Sequence, residues 1–151
     1  MNTKVAEVYD AFLSKITDYT FLKMTDEQLE TQARDYFKAS RRKFYKCKSD
    51  LKTIADEDGN ELFQEFKVEL HPYEVEILAS LMVIEYIQPM IASTETLKQV
   101  LSDKSFKISS QANQLRELRL LKREMRSEVN TMITQYTYLN LKEVNLNAKK
   151  R

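Results

Sequence analysis

The side chains best equipped for chemistry are scarce in this chain: one histidine, His71, one cysteine, Cys47, and no tryptophan. With a single imidazole, every motif that binds a metal through paired histidines is excluded. A thiol–imidazole nucleophile would have to join Cys47 to His71. Cys47 falls on the apolar stripe of an expected helix, where cysteine behaves as a small hydrophobe. His71 precedes Pro72 at the position of a helix N-cap, so both residues read as structural. The run Asp56-Glu57-Asp58-Gly59-Asn60-Glu61 gathers carboxylates beside the only glycine, which invites a calcium reading. The spacing fails, because an EF-hand loop needs glycine at its sixth position and a bidentate Glu at its twelfth. An acidic turn tip is the better account. One glycine cannot build a phosphate-cradling loop, and no pattern marks two carboxylates enclosed in a cleft. The residues predict no catalytic site, no metal site and no cofactor.

Charge is the more informative chemistry. Lys38, Arg41, Arg42, Lys43, Lys46 and Lys48 form a basic block without an acid, with Tyr45 inside it. From Asp56 to Glu76 the balance reverses: Asp56, Glu57, Asp58, Glu61, Glu65, Glu69, Glu74 and Glu76 stand against Lys67 alone. A third, mainly basic group runs from Arg116 to Arg126. Each block can be a solvated face. Together the basic face 38–48 and an acidic face of Asp56, Glu57, Asp58, Glu61 and Glu65 could also meet across a subunit interface. The competing reading is a non-enzymatic helical protein that binds nucleic acid through 38–48, with cations for phosphate and Tyr45 for stacking. Against it stands a pI near 7.7, where domains built for that task commonly exceed about 9.

The elements that must position these groups follow from the rest of the sequence. With 151 residues, 42% hydrophobic and 31% charged, one domain is expected, burying roughly 70% of its unfolded surface. A single glycine argues against sandwiches and barrels, which need many tight turns. The longest apolar run, Ile77 to Ile84, is too short for a bilayer, and Met1 to Lys15 contains no signal-like apolar region. No membrane contact is expected. A lone cysteine cannot form an intrachain disulfide.

Helical stripes are legible at Val5, Val8, Tyr9, Phe12, Leu13 and Ile16, interrupted at Asp18 to Thr20. A second stripe runs through Leu29, Ala33, Tyr36, Phe37, Ser40, Phe44 and Cys47, after a Thr25/Gln28 capping box. Residues 49–70 read as a loop or short hairpin with Asp58 to Asn60 at its tip, a helical turn over Leu62 to Phe66 being the alternative. His71-Pro72-Tyr73-Glu74 starts a helix that is apolar almost all round to Ile87, hence central. Pro89 is expected to end or kink it. A short helix over Thr94 to Leu101 is the expected continuation. Ser109 or Ser110 caps a final helix whose stripe is Ala112, Leu115, Leu118, Leu121, Met125, Val129, Met132, Ile133 and Tyr136, roughly 39 Å long at about 1.5 Å per residue. Past Tyr138 the pattern changes to Leu139, Leu141, Val144, Leu146 and Ala148, close to alternation, before Lys149-Lys150-Arg151. Such a tail either frays or becomes ordered on a partner.

The fold class expected is all-α: about four helices in a bundle, a loop or small β-hairpin insertion, and an extended C-terminal tail. This organisation resembles the head–tail connector, or neck adaptor, proteins of tailed bacteriophages. The resemblance covers most of the chain. It rests on the opening helix ending in Ile16-Thr17-Asp18, the aromatics Tyr36, Phe37 and Phe44, and the loop to Leu70. It continues through the apolar helix Glu74 to Val83, Pro89, the passage Leu101 to Lys107, and Ser110 to Leu115 opening a long helix to Tyr138. The resemblance implies a virion protein of the neck, assembled in the host cytoplasm as a ring beneath the portal protein and matching its twelvefold symmetry. It implies a helical adaptor domain over 1–136 and a docking tail over 137–151, with Tyr138, Leu139, Leu141, Val144, Leu146, Lys149, Lys150 and Arg151 on the portal. The ring would extend the DNA channel, touch passing DNA non-specifically and present a surface to downstream neck or tail proteins. The family has no catalytic residues. A helical regulator of host proteins is a third expectation.

Overall fold

The computed structural model describes residues 1–16, 24–100 and 105–139, and side chains over 1–16, 24–93 and 113–139. Its elements run α1 (Val5–Leu13), α2 (Asp26–Lys43), β1 (Thr53–Ala55), β2 (Glu61–Phe66), α3 (Pro72–Val100) and α4 (Ser105–Tyr138). The described chain is thus mostly helical with one small antiparallel sheet. The expected break at Asp18 to Thr20, the Leu101 to Lys104 passage and the tail residues Leu141, Val144, Leu146, Lys149, Lys150 and Arg151 lie outside the described residues.

α1 buries Val5, Val8, Tyr9 and Phe12, one face at helical spacing. Just before it, Thr3 fastens the chain to the hairpin: its carbonyl accepts from the Phe66 N–H at 2.9 Å, and its hydroxyl from the Leu70 N–H at 2.8 Å. α2 begins at the expected box, in which Thr25 Oγ1 accepts from the Gln28 N–H and Gln28 Oε1 from the Thr25 N–H, both at 3.2 Å. These bonds satisfy donors that a helix start leaves open. α2 ends at Lys43, earlier than the stripe to Cys47 implies. Cys47 is therefore outside the helix, half-buried against the core. The cause is Phe44, whose backbone leaves the helical region while its ring remains buried.

Of the two readings of residues 49–70, the hairpin is found. Asp56 Oδ1 accepts from the N–H groups of Asp58 at 3.0 Å and Asn60 at 2.8 Å, and Gly59 adopts φ +86°. The carboxylate supplies the turn's hydrogen bonds and glycine its left-handed residue. Thr53 pairs with Phe66 and Ala55 with Glu61, so β2 carries extra residues between these pairs. Phe63 lies in that bulge at φ +54°. Leu62 to Phe66 belongs to the strand, and the helical turn is not formed.

α3 is central. Ile77, Leu78, Ala79, Leu81, Met82, Val83, Ile84, Ile87 and Ile91 are all buried, with α1, α2 and α4 packed on it. Pro89 lies inside α3 instead of ending it, and the expected short helix after Pro89 is α3's last part. A proline there leaves the Glu85 carbonyl without its helical donor. Gln88 and Pro89 face solvent, where water can serve that carbonyl, while Ile87 and Ile91 are buried on either side. Pro72–Ser93 is also long and apolar enough to cross a bilayer by length and composition, so the short apolar run did not decide that point. A buried core helix meets the same test, and this helix is largely enclosed by its neighbours.

α4 starts at Ser105, not at Ser109 or Ser110, and its 34 residues extend about 51 Å. Serine inside a helix costs well under 1 kcal/mol relative to alanine, so a serine pair does not compel a helix start. Leu115, Leu118, Lys122, Met125, Val129, Met132 and Tyr136 recur at alternating steps of three and four along its inner seam. The Lys122 ammonium donates to Gln88 on α3. Leu121, expected on this stripe, is 45% exposed. The seam is narrower than a globular stripe because, among the described residues, α4 packs mainly on α3.

Candidate interaction surfaces

The basic block does not form one free face. Arg41 makes a bidentate pair with Glu61, at 2.6 and 3.0 Å, and also donates to the Leu51 carbonyl at 3.2 Å. The residues assigned to opposite subunit faces therefore meet inside one chain at this point. Glu61 also accepts from the Thr53 N–H at 2.9 Å and the Thr53 hydroxyl at 2.8 Å. The Arg41 hydrogen bonds, aided by those from Thr53, hold the Glu61 carboxyl down to about 2. Lys43 pairs with Glu85 on α3. Lys38 lies 4.9 Å from the centre of the Phe63 ring, which Arg34 and Arg41 also approach at 5.2 and 5.6 Å. That cationic collar stabilises the ring on its left-handed residue. Arg42 and Lys46 remain exposed, and the Lys46 ammonium is 6.0 Å from the ring of Tyr45, itself 80% exposed.

The acidic block is divided in the same way. Asp56 organises the hairpin tip, Glu57 and Asp58 are exposed there, and Glu65 lies half-buried opposite Lys4 in an isolated bridge. Glu74 is fully buried. Among the described residues, no group of three or more His, Cys, Asp or Glu is placed to hold a metal ion.

Glu74 belongs to a network that the sequence reading missed. Its Oε2 accepts from the His71 N–H at 2.9 Å, and His71 Nδ1 accepts from the Tyr73 N–H at 3.1 Å, which together cap α3. Its Oε1 accepts from the hydroxyls of Ser49 at 2.8 Å and Tyr136 at 2.6 Å. The Tyr136 hydroxyl in turn accepts from the Lys48 N–H at 2.7 Å. The Lys48 ammonium donates to the carbonyls of Tyr136, Thr137 and Leu139, at 3.4, 3.3 and 2.7 Å. A cation over the last carbonyls satisfies acceptors that a helix end exposes and complements its dipole. Lys48 is thus a clamp on α4 rather than part of an outward face. Burial pushes the neighbouring Cys47 thiol up to about 11. The signals were present: a glutamate three residues after a histidine N-cap, and a tyrosine closing the final stripe. Only their meeting across the fold was hidden.

α4 ends at Tyr138, the end that the sequence predicts for the long helix, and its last carbonyls are held by Lys48. Tyr138 is 85% exposed and Leu139 half-buried. Comparison with sequence families, curated proteins and solved structures finds no match to this chain.

Proposed function

We propose that this chain is a non-enzymatic virion protein, a head-to-tail adaptor whose helical bundle assembles as a ring beneath a portal protein and extends the DNA channel. Its extended tail docks on the portal, downstream neck or tail proteins bind the opposite side, and passing DNA is touched without sequence readout. The observation that carries this reading is the pinned end of α4. Lys48 and the Tyr136–Glu74 bond fix the helix terminus, and beyond it comes an alternating segment ending in Lys149, Lys150 and Arg151. A rigid launch point followed by strand-like alternation suits an arm that pairs with another chain. Resemblance to neck adaptors supplies the partner.

The test is mass measurement and co-sedimentation of the full chain, and of the chain ended after Leu139, with purified rings of the portal encoded in the same genome. The full chain is expected to bind and the shortened chain to stay helical without binding. Failure of the full chain to bind portal, together with its absence from virions, rejects the adaptor. Exposed Tyr45, with Lys46 and Arg42 beside it, favours a second reading: nucleic-acid binding through residues 38–48. It requires salt-sensitive affinity for duplex DNA that falls when Arg42 and Lys46 are neutralised.

A further inference from the structure

α4 is charge-segregated about its buried seam. On one flank stand Arg116, Arg119, Arg123 and Arg126, followed by Asn130 and Thr134, with no acid among them. On the other stand Glu117, Glu124 and Glu128, with Leu121 between them. All these side chains are exposed, and Leu121 is 45% exposed. Among the described residues, Arg116, Arg123, Arg126, Glu117, Glu124 and Glu128 form no ion pair within the chain. The cationic flank borders an open groove of about 510 Å³ whose walls include Arg123, Arg126, Asn130 and Thr134.

We infer that a second copy of this chain covers these flanks, the arginine flank of one α4 lying against the glutamate flank of the next. The inference rests on the ring reading above and names its subunit contact. Charge disfavours contacts of a flank with itself. A two-fold contact through either flank sets that flank against itself, arginine on arginine or glutamate on glutamate, which is repulsive. A parallel two-fold pair across the outer side of α4 would also set arginine against glutamate, but it uses both flanks at once. A head-to-tail contact uses one flank and leaves the other for the next copy, as the ring reading requires. Heights along the helix decide between ring and filament. Arg116 lies beside Glu117, Arg123 beside Glu124 and Arg126 near Glu128, over about 15 Å of arginine flank and about 17 Å of glutamate flank. Parallel copies meet in register with no axial shift, and an unshifted head-to-tail contact closes into a ring when the rotation between copies divides a full turn. Leu121 adds an apolar point at the contact. Exposed ion pairs are individually weak and screened by salt, so assembly is concentration- and salt-dependent.

Sedimentation and native mass measurement of the full chain without portal test this. Three variants are compared with wild type: Arg116→Glu with Arg123→Glu, Glu117→Arg with Glu124→Arg, and all four changes together, each checked for helicity. Wild type is expected to associate at low salt and high concentration. Each double variant alone loses association at least tenfold, a 1:1 mixture of the two regains it with both chains in the complex, and the fourfold swap regains it alone. Wild type that remains monomeric under all these conditions, or that stops at a dimer, overturns the inference. So does undiminished association of the double variants, or a mixture that stays monomeric. Duplex DNA bound through the arginine flank, with self-association unaffected by the reversals, overturns it in favour of a polyanion surface. Flank-dependent rings that never bind portal would sink the adaptor alone. Portal binding by chains whose association ignores the flanks would sink this contact alone.

Discussion

Arg41 shows how a residue chosen by sequence for an outward role can be consumed by the fold. Its guanidinium meets both oxygens of Glu61, the Leu51 carbonyl and the ring of Phe37, 5.5 Å away. The bidentate fork and partial burial, with side chains 20% and 27% exposed, raise this pair above an ordinary surface bridge. Glu61 ionises well below its ordinary 4.5, at about 2. Its contribution is complete above pH 4.5 and is lost as the pH falls towards 2, because protonation favours the unfolded chain. Glu61→Gln is expected to cost on the order of 2 kcal/mol at neutral pH. It should also flatten the acid limb of stability between those values, as read by urea unfolding at several pH values. Tyr136→Phe leaves the buried Glu74 carboxylate one donor short and the Lys48 N–H without its acceptor. A loss of about 1–3 kcal/mol is expected, and a midpoint equal to wild type would remove the network from the account of stability.

At the scale of elements, α3 and α4 illustrate two ways of using a long helix. α3 is enclosed on several sides over Val75 to Ile87. Its one interior irregularity, Pro89, is exposed. Pro89→Ala restores an N–H to the Glu85 carbonyl and is expected to raise stability by about 1–3 kcal/mol, measured by thermal or denaturant unfolding. Destabilisation instead would mean that the proline fixes a geometry that the α3–α4 packing requires. α4 has one narrow seam, and over residues 113–139 most side chains beside it are exposed, which is why its charges can be sorted to either side. The hairpin joins these scales: its tip is set by Asp56 and Gly59, and its bulge by the cations around Phe63.

For the whole molecule, the core is assembled around α3, with the charged flanks of α4 exposed at its edge. The N-terminal residues are bonded to the hairpin through Thr3, and the end of α4 to the α2–β1 connection through Lys48. Ending the chain after Leu139 retains every contact of Tyr136 and Lys48 described above. The shortened chain is expected to unfold at the same denaturant midpoint as the full chain. A lowered midpoint would mean that residues 140–151 serve their own subunit rather than a partner. The near-zero net charge suits the proposed assembly, since flanks of opposite sign would attract without a large overall field.

The sequence by itself determined the local events. Thr25 with Gln28 and His71-Pro72 with Glu74 mark helix starts, because capping is satisfied within three residues of chain. Asp56 to Asn60 mark the turn, because a side-chain carboxylate and one glycine suffice to build it. The all-round apolar stretch Val75 to Ile87 marks the central helix, because periodicity records how many sides must be covered. Tertiary structure alone decided the rest. Whether Arg41 and Lys48 face outward depends on Glu61 and on the carbonyls of α4, groups remote in sequence that approach only when the core closes. Pro89 stays helical because its lost hydrogen bond falls on the wet side while Ile87 and Ile91 hold the helix in place. Leu121 becomes surface because α4 packs mainly on α3. Short-range hydrogen bonding is written along the chain, whereas the destination of a charge is fixed by distant partners and by access to water.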